Sequence, residues 1–355
     1  MTALRTPPIH FQLDSELSAR EPVEATPGAT RSDVRLMASI GSNDPTHHMF
    51  SELPALLDPG DLLVVNDSTA MAAALDAIDS RGRPVRIHVS TELPASVWLV
   101  EARCLREDGT TSPDPTDRSG ERLDVVGGMA IDLLHRLDGS QRLWIAHLDW
   151  DRSTPLASFL AAHGRPIRYD YVRRDWPLDT YRTVFGRRPG SAEMPSASRP
   201  FTKSTVVDLV AAGVHLAPLT LHTGVSSLEA HETPYPERFE VPAATARLVN
   251  HTRRDGGRVI AIGTTVVRAL ESVVDDRGEI HPGAGWTDVI VTPERSAVSV
   301  DGLLTGWHEP EASHLQMLAA IAAPDALQAA YDGAVDARYR WHEFGDVHLI
   351  TRDNP

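Results

Sequence analysis

Histidines and hydroxyls that follow runs of apolar residues are the side chains of this sequence best placed to do chemistry. There are three such places: His222 after the run 214–221, Thr264 and Thr265 after Val259-Ile-Ala-Ile-Gly263, and His308 after the run 298–304. Imidazole titrates near neutral pH and can take or give a proton. The Gly-Thr-Thr turn opens an amphipathic helix, with Val266, Val267, Leu270, Val273 and Val274 at helical spacing. Such a strand–turn–helix offers unpaired backbone N–H groups and the positive helix end to an anion. A Thr cap with no ligand is the plainer reading. If the three runs are strands of one sheet, their polar ends meet in a single crevice, where open α/β sheets bind ligands. That convergence is the main argument for an enzyme.

Other residues near these ends carry two readings each. Glu311 and Ser313 either support His308 or cap the next helix. Arg268 and Glu271, three apart on one helix, are either site residues or a surface ion pair. Asn66 and Asp67 follow an apolar run and either bind hydroxyls or form a turn. The pair His47-His48 reads as surface.

The elements that must position these groups come in two textures. From Arg81 to Asp149 the chain shows short period-2 runs such as Val85-Arg-Ile-His-Val89 and Arg142-Leu-Trp-Ile-Ala-His-Leu148, divided by turn-rich pieces. Close-spaced alternation without a helical period predicts a small antiparallel barrel or sandwich. After 153, helical and strand patterns alternate: helices over 155–163, 202–212, 242–255, 311–322 and 326–339, and strands over 214–221, 259–262, 288–291, 298–304 and 346–350. The spacing predicts an α/β main domain with a mixed, largely parallel sheet, joined by a strand at 61–65. The expected division is 1–75 with 151–355 as the main domain, and 76–150 as an inserted β-barrel.

Composition sets further bounds. Hydrophobic residues at 41% and charged residues at 23% describe a globular chain. No apolar run reaches the length of a membrane span, no secretory leader is visible, and the single cysteine, Cys104, excludes an internal disulfide. The expectation is a cytoplasmic monomer without metal. The net charge of −15 argues against a general nucleic-acid binder, yet residues 165–203 hold nine basic against four acidic side chains. Tyr169, Tyr171, Trp176, Tyr181 and Phe185 are interleaved with them. This stretch, with Arg173, Arg174, Arg187, Arg188 and Arg199, is either an RNA-contacting surface or a solvated face over an aromatic seam.

Five segments in order resemble one family. They are Pro59-Gly-Asp-Leu-Leu-Val-Val-Asn-Asp67, Tyr181-Arg-Thr-Val-Phe-Gly-Arg-Arg-Pro-Gly-Ser191, Leu219-Thr-Leu-His-Thr-Gly224, Leu303-Leu-Thr-Gly-Trp-His-Glu-Pro-Glu-Ala-Ser313 and Arg338-Tyr-Arg-Trp-His-Glu-Phe-Gly-Asp346. With Gly263-Thr-Thr265 they resemble the S-adenosylmethionine:tRNA ribosyltransferase-isomerases of queuosine synthesis. The resemblance implies transfer of the ribosyl part of S-adenosylmethionine to a 7-aminomethyl-7-deazaguanine base in tRNA, giving epoxyqueuosine, adenine and methionine. It also implies a β-barrel inserted in the main domain, and no cofactor beyond that co-substrate.

Such a reaction needs a base for the proton made acidic by the sulfonium, and an acid for the departing adenine. His222 and His308 are the candidates, with Glu311 beside them. S-adenosylmethionine would be bound by Gly263, Thr264, Thr265, Arg268, Asn66, Asp67, Ser313 and Asp346; the last either meets the sulfonium or orients the C-terminal strand. Some motifs depart from the family pattern. Ser68-Thr-Ala-Met-Ala-Ala-Ala-Leu75 lacks two family arginines, Pro195-Ser-Ala-Ser-Arg-Pro-Phe201 lacks a glycine and a histidine, and Tyr235 stands for another histidine. Two other readings therefore remain: the same chemistry on a small acceptor, or a non-catalytic RNA-binding protein on this scaffold.

Overall fold

Leu62–Asn66 and Val259–Ile262 are apolar runs buried along their whole length. A strand buried on both sides needs cover on both faces, as the parallel centre of a sheet provides. A computed structural model of the chain, described for residues 9–225, 235–310 and 312–352, places them side by side. They belong to a nine-stranded sheet. Its order is Gly283–Thr287, Glu237–Val241, His215–Leu221, Leu62–Asn66, Val259–Ile262, Gly302–Gly306, Val347–Thr351, Arg35–Ile40 and Thr46–Met49. The four strands from His215–Leu221 to Gly302–Gly306 run parallel, and Val347–Thr351 runs against them. The sheet is mixed with a parallel centre, as expected.

Alternation along the strands sorts the core. Leu62, Val64, Val259 and Ala261 face helices Ala243–Arg254, Thr264–Glu271, His314–Ala319 and Pro324–Asp336. Leu63, Val65, Ile260 and Ile262 face Phe50, Leu53, Phe201 and Leu209 on the other side. Among the described residues, no helix is long and apolar enough to cross a membrane.

Six further antiparallel strands close into a ring: Ala74–Ile78, Pro84–Glu92, Val97–Leu105, Arg122–Val125, Met129–Arg136 and Leu143–Asp149. The closing pair is Leu143–Asp149 with Val97–Leu105. Ile87, Val89, Val100, Leu123, Ile131 and Trp144 fill the barrel. All six strands fall in sequence between Asn66 and helix Leu156–His163, so the barrel interrupts the main sheet's chain path.

Several elements differ from the sequence reading. The strand expected over 288–291 lies earlier, at Gly283–Thr287, on an edge where few side chains are packed to mark it. The strand expected over 298–304 begins only at Gly302, because Asp301 turns its carboxylate back to accept from the Val259 N–H at 2.8 Å. The helix expected over 311–322 is the short His314–Ala319.

Candidate functional site

At the carboxyl ends of the parallel strands, where the main sheet meets the barrel, lies a cavity of about 320 Å³. Its lining includes Gly263, Thr264 and Thr265, together with Thr305 to Glu309, Thr223 and Gly224, and Ser90 and Thr91 of the barrel. Gly263 adopts φ 93, ψ 152, a conformation that favours glycine, and this sharp turn aims the helix Thr264–Glu271 at the cavity. The first N–H groups of a helix have no intrahelical acceptor, so this end offers donors to an anion. The Thr265 hydroxyl also accepts from the Asn66 side-chain amide at 3.3 Å.

The next strand presents His308. Its Nε2 lies 2.9 Å from the Thr305 hydroxyl, and its ring stacks on His314 at 4.7 Å. Burial, followed by the neighbouring His314, holds His308 well below the usual histidine range. The ring is therefore neutral at neutral pH. In that form a ring nitrogen can accept a proton, one of the two roles expected of it.

The opposite wall is aromatic and acidic. Tyr169 and Tyr171 stack at 5.6 Å, and Tyr171 stacks in turn on His342 at 4.1 Å. The Tyr171 hydroxyl donates to the Glu343 carboxyl, and Glu193 lines the same wall. Burial raises Glu343 to about 7 and pushes Tyr169 well above the usual tyrosine range. The sequence reading assigned none of Tyr169, Tyr171, His342, Glu343 or Glu193 to the S-adenosylmethionine site. The available signal was position: His342 and Glu343 lie inside the motif Arg338–Asp346, and Glu193 stands two residues past another.

Arg268 is buried and fully engaged. It donates to the carbonyls of Val289 at 3.1 Å and Thr287 at 3.1 Å, and pairs with Glu237, whose other oxygen accepts from the Gly224 N–H at 2.9 Å. Glu271 accepts from the Val298 and Ser299 N–H groups at 2.8 and 2.7 Å. The two residues are thus not a surface pair; each ties a different loop to the helix. Ser313 lines the cavity, and its hydroxyl does not cap the following helix. Glu311 lies outside the described residues.

Four other expected site residues stand away from the cavity. Asn66 is fully buried, exchanges hydrogen bonds with the Leu221 backbone at 2.8 and 3.0 Å, and accepts from the Ser68 N–H. Asp67 accepts from the Thr220 hydroxyl at 2.6 Å. These contacts weld strand ends together, and neither residue lines the cavity. Asp346 accepts from the backbone N–H groups of Arg35 and Arg340, each at 2.7 Å, so it orients the C-terminal segment. His222 precedes the cavity residue Thr223 but is directed at Ser68, 2.8 Å from its hydroxyl, and does not itself line the cavity.

The basic segment divides as well. Arg173, Arg174 and Arg187 are exposed, with Arg174 lying over the Trp176 ring at 4.1 Å. Arg188 pairs with Glu240 and approaches Asp67 at 3.6 Å. Arg199 is buried, bonded to Glu24 at 2.6 Å and placed over Phe344, so its expected RNA contact is replaced by a structural one. Among the described residues, no group of three or more His, Cys, Asp or Glu is set to hold a metal.

Residues 7–350 match the family of queuosine biosynthesis proteins. This chain belongs to that family. Among curated members, the S-adenosylmethionine:tRNA ribosyltransferase-isomerase of Natranaerobius thermophilus is 30% identical, covering 96% of this chain and 98% of its own. The enzyme of that name from Acidiphilium cryptum is 34% identical over 94% and 96%. A crystal structure of S-adenosylmethionine tRNA ribosyltransferase from Thermotoga maritima is 28% identical, with a TM-score of 0.53 and coverage of 97% and 99%. The family likeness thus spans both the main sheet and the barrel.

Proposed function

We propose that this chain is an S-adenosylmethionine-dependent enzyme of queuosine synthesis. It transfers the ribosyl part of S-adenosylmethionine to a 7-aminomethyl-7-deazaguanine base in tRNA and releases adenine and methionine, leaving epoxyqueuosine. The observation that carries this reading is the mixed lining of one cavity, which brings together helix-end donors at Gly263–Thr265 and stacked rings with Glu193 and Glu343. S-adenosylmethionine needs both, since its carboxylate seeks donors while its sulfonium seeks carboxylate or aromatic faces.

In this reading Thr264, Thr265 and the helix end take the carboxylate or ribose hydroxyls. Neutral His308 accepts the proton that the sulfonium acidifies. Arg268 and Glu237 fix the loop carrying Gly224, and Ser313 borders the His308 side. The segment that supplies Tyr169 and Tyr171 continues into exposed Arg173 and Arg174, so an RNA docked there lies next to the cavity. The setting is the cytoplasm, with a monomer using no metal.

The test is to incubate the protein with S-adenosylmethionine and measure free adenine and methionine, with substrate tRNA, with the free base, and with neither. Release that depends on tRNA is the expected result. Release with the small acceptor, and no salt-sensitive tRNA binding, moves the acceptor to a small molecule.

A further inference from the structure

We infer that Glu343 is the acid that protonates adenine as it leaves, and that Tyr171 is the residue that positions its carboxyl. The inference rests on the reaction proposed above. That reaction needs a proton for adenine that neither histidine supplies: His308 is held neutral, and His222 is bonded to Ser68 and does not line the cavity.

The geometry of the Glu343 loop supplies what is missing. Glu343 lies on the cavity wall opposite the helix end, in the turn that leads to the strand Val347–Thr351. That turn is tightly fixed. Gly345 packs so close that a Cβ there would sit 2.4 Å from the Arg340 carbonyl, and the Trp341 indole donates to the His308 carbonyl at 3.1 Å. The carboxyl accepts from Tyr171, whose ring is held between Tyr169 and His342 in one continuous stack. A stack of flat rings ending beside a carboxyl suits a purine: the rings offer a face and the carboxyl offers a proton at the edge. Burial favours the uncharged acid, so a proton is present at neutral pH, as a general acid requires.

The base takes the proton from C5′, the carbon next to sulfur; the electron pair left behind forms a C4′=C5′ double bond as the C4′–O4′ bond breaks, and the pair released on O4′ forms a C1′=O4′ carbonyl. The C1′–N9 bond breaks with its pair going to adenine. The Glu343 proton passes to a purine ring nitrogen, so adenine leaves neutral and Glu343 is left as a carboxylate. The proton taken by the base balances the one given.

Glu343→Gln keeps the size of the side chain and removes its transferable proton. Adenine release with substrate tRNA should fall by roughly 100-fold or more, while S-adenosylmethionine affinity measured by calorimetry stays within about threefold, itself proof of folding. The wild-type rate should decline above about pH 7, and this decline should vanish in Glu343→Gln. Tyr171→Phe removes a donor that favours the charged carboxylate, so its alkaline decline should move to higher pH; a merely structural role would not shift it. Glu343→Asp should recover part of the lost rate. If wild type releases adenine and Glu343→Gln matches it, the assignment of Glu343 is wrong and the proposed reaction stands. If wild type with substrate tRNA releases none, both fall.

Discussion

Gly263→Ala tests whether the helix end anchors the co-substrate. A Cβ at Gly263 would sit 3.6 Å from the Ala197 Cβ and 3.7 Å from the Thr265 hydroxyl, both ordinary contacts, so crowding adds almost nothing. The cost is in the backbone. At φ 93, ψ 152 an alanine is strained by about 1–3 kcal/mol. The chain either keeps that strain or relieves it by rotating the turn, which swings the Thr264 and Thr265 N–H groups off their direction. Rotation should weaken S-adenosylmethionine binding by about 1–3 kcal/mol, or roughly 5- to 150-fold. Calorimetry reads the affinity and thermal denaturation reads the strain. Gly278→Ala is the control: Gly278 has φ +80 and open space for a Cβ, and it sits in the turn after Asp275, away from the cavity. It should destabilise the fold and leave the affinity unchanged. If Gly263→Ala keeps wild-type stability, so that the turn has rotated to relieve the strain, yet binds S-adenosylmethionine like wild type, the helix end is not the anchor.

Thr264→Val, which removes a cavity hydroxyl without disturbing the Asn66 bond to Thr265, should weaken S-adenosylmethionine binding by about 1 kcal/mol in the same calorimetry. His308→Asn should lower the turnover of adenine release by roughly 100-fold with binding retained, whereas His222→Asn should lower the melting temperature more than the rate. His348, fully buried on Trp307 and 2.8 Å from the Ser39 hydroxyl, is depressed to about 3. The unfolded chain therefore binds this proton first, and stability is lost as pH falls from about 6.5 toward 3, at up to about 1.4 kcal/mol per pH unit. Urea midpoints across that window should show a shallower slope in His348→Gln; an equal slope would refute the point. Reversing Arg173, Arg174 and Arg187 to glutamate should weaken tRNA binding and reduce its salt slope by roughly 2–3, with S-adenosylmethionine affinity intact.

The central strands were legible because full burial leaves an unbroken apolar signature: Val259–Ile262 was read to the residue. The barrel was legible through alternation. Strands at or next to the sheet's edges were not. Thr46–Met49 and Glu237–Val241 are polar or charged along much of their length, and pairing, not composition, makes them strands. In the site, Gly263 to Thr265 and His308 were visible because each follows a readable strand. The opposite wall was not, since Tyr171 and Glu343 are separated by 172 positions and meet only through the tertiary fold. Asn66, Asp67, Asp346 and His222 do not line the cavity: a polar group at a strand end also serves to satisfy buried backbone or hydroxyl groups, and the sequence does not separate the two tasks.

The strand Val347–Thr351 sits between Gly302–Gly306 and Arg35–Ile40, so the sheet's early strands attach to the rest only through a late one. Arg35 and Asp346, which bond across this junction, are 311 positions apart. On a ribosome the hairpin of Arg35–Ile40 with Thr46–Met49 must then wait, joined to no other strand, until the chain has been made as far as Val347–Thr351. Glu343 meets Tyr171 at about the same moment, because His342 and Glu343 belong to the turn that leads into this late strand. A nascent chain thus has no finished cavity with which to capture S-adenosylmethionine, and an open strand edge is left exposed for the length of translation. Pulse-labelled nascent chains should show Arg35–Met49 sensitive to protease until the 347–351 segment emerges.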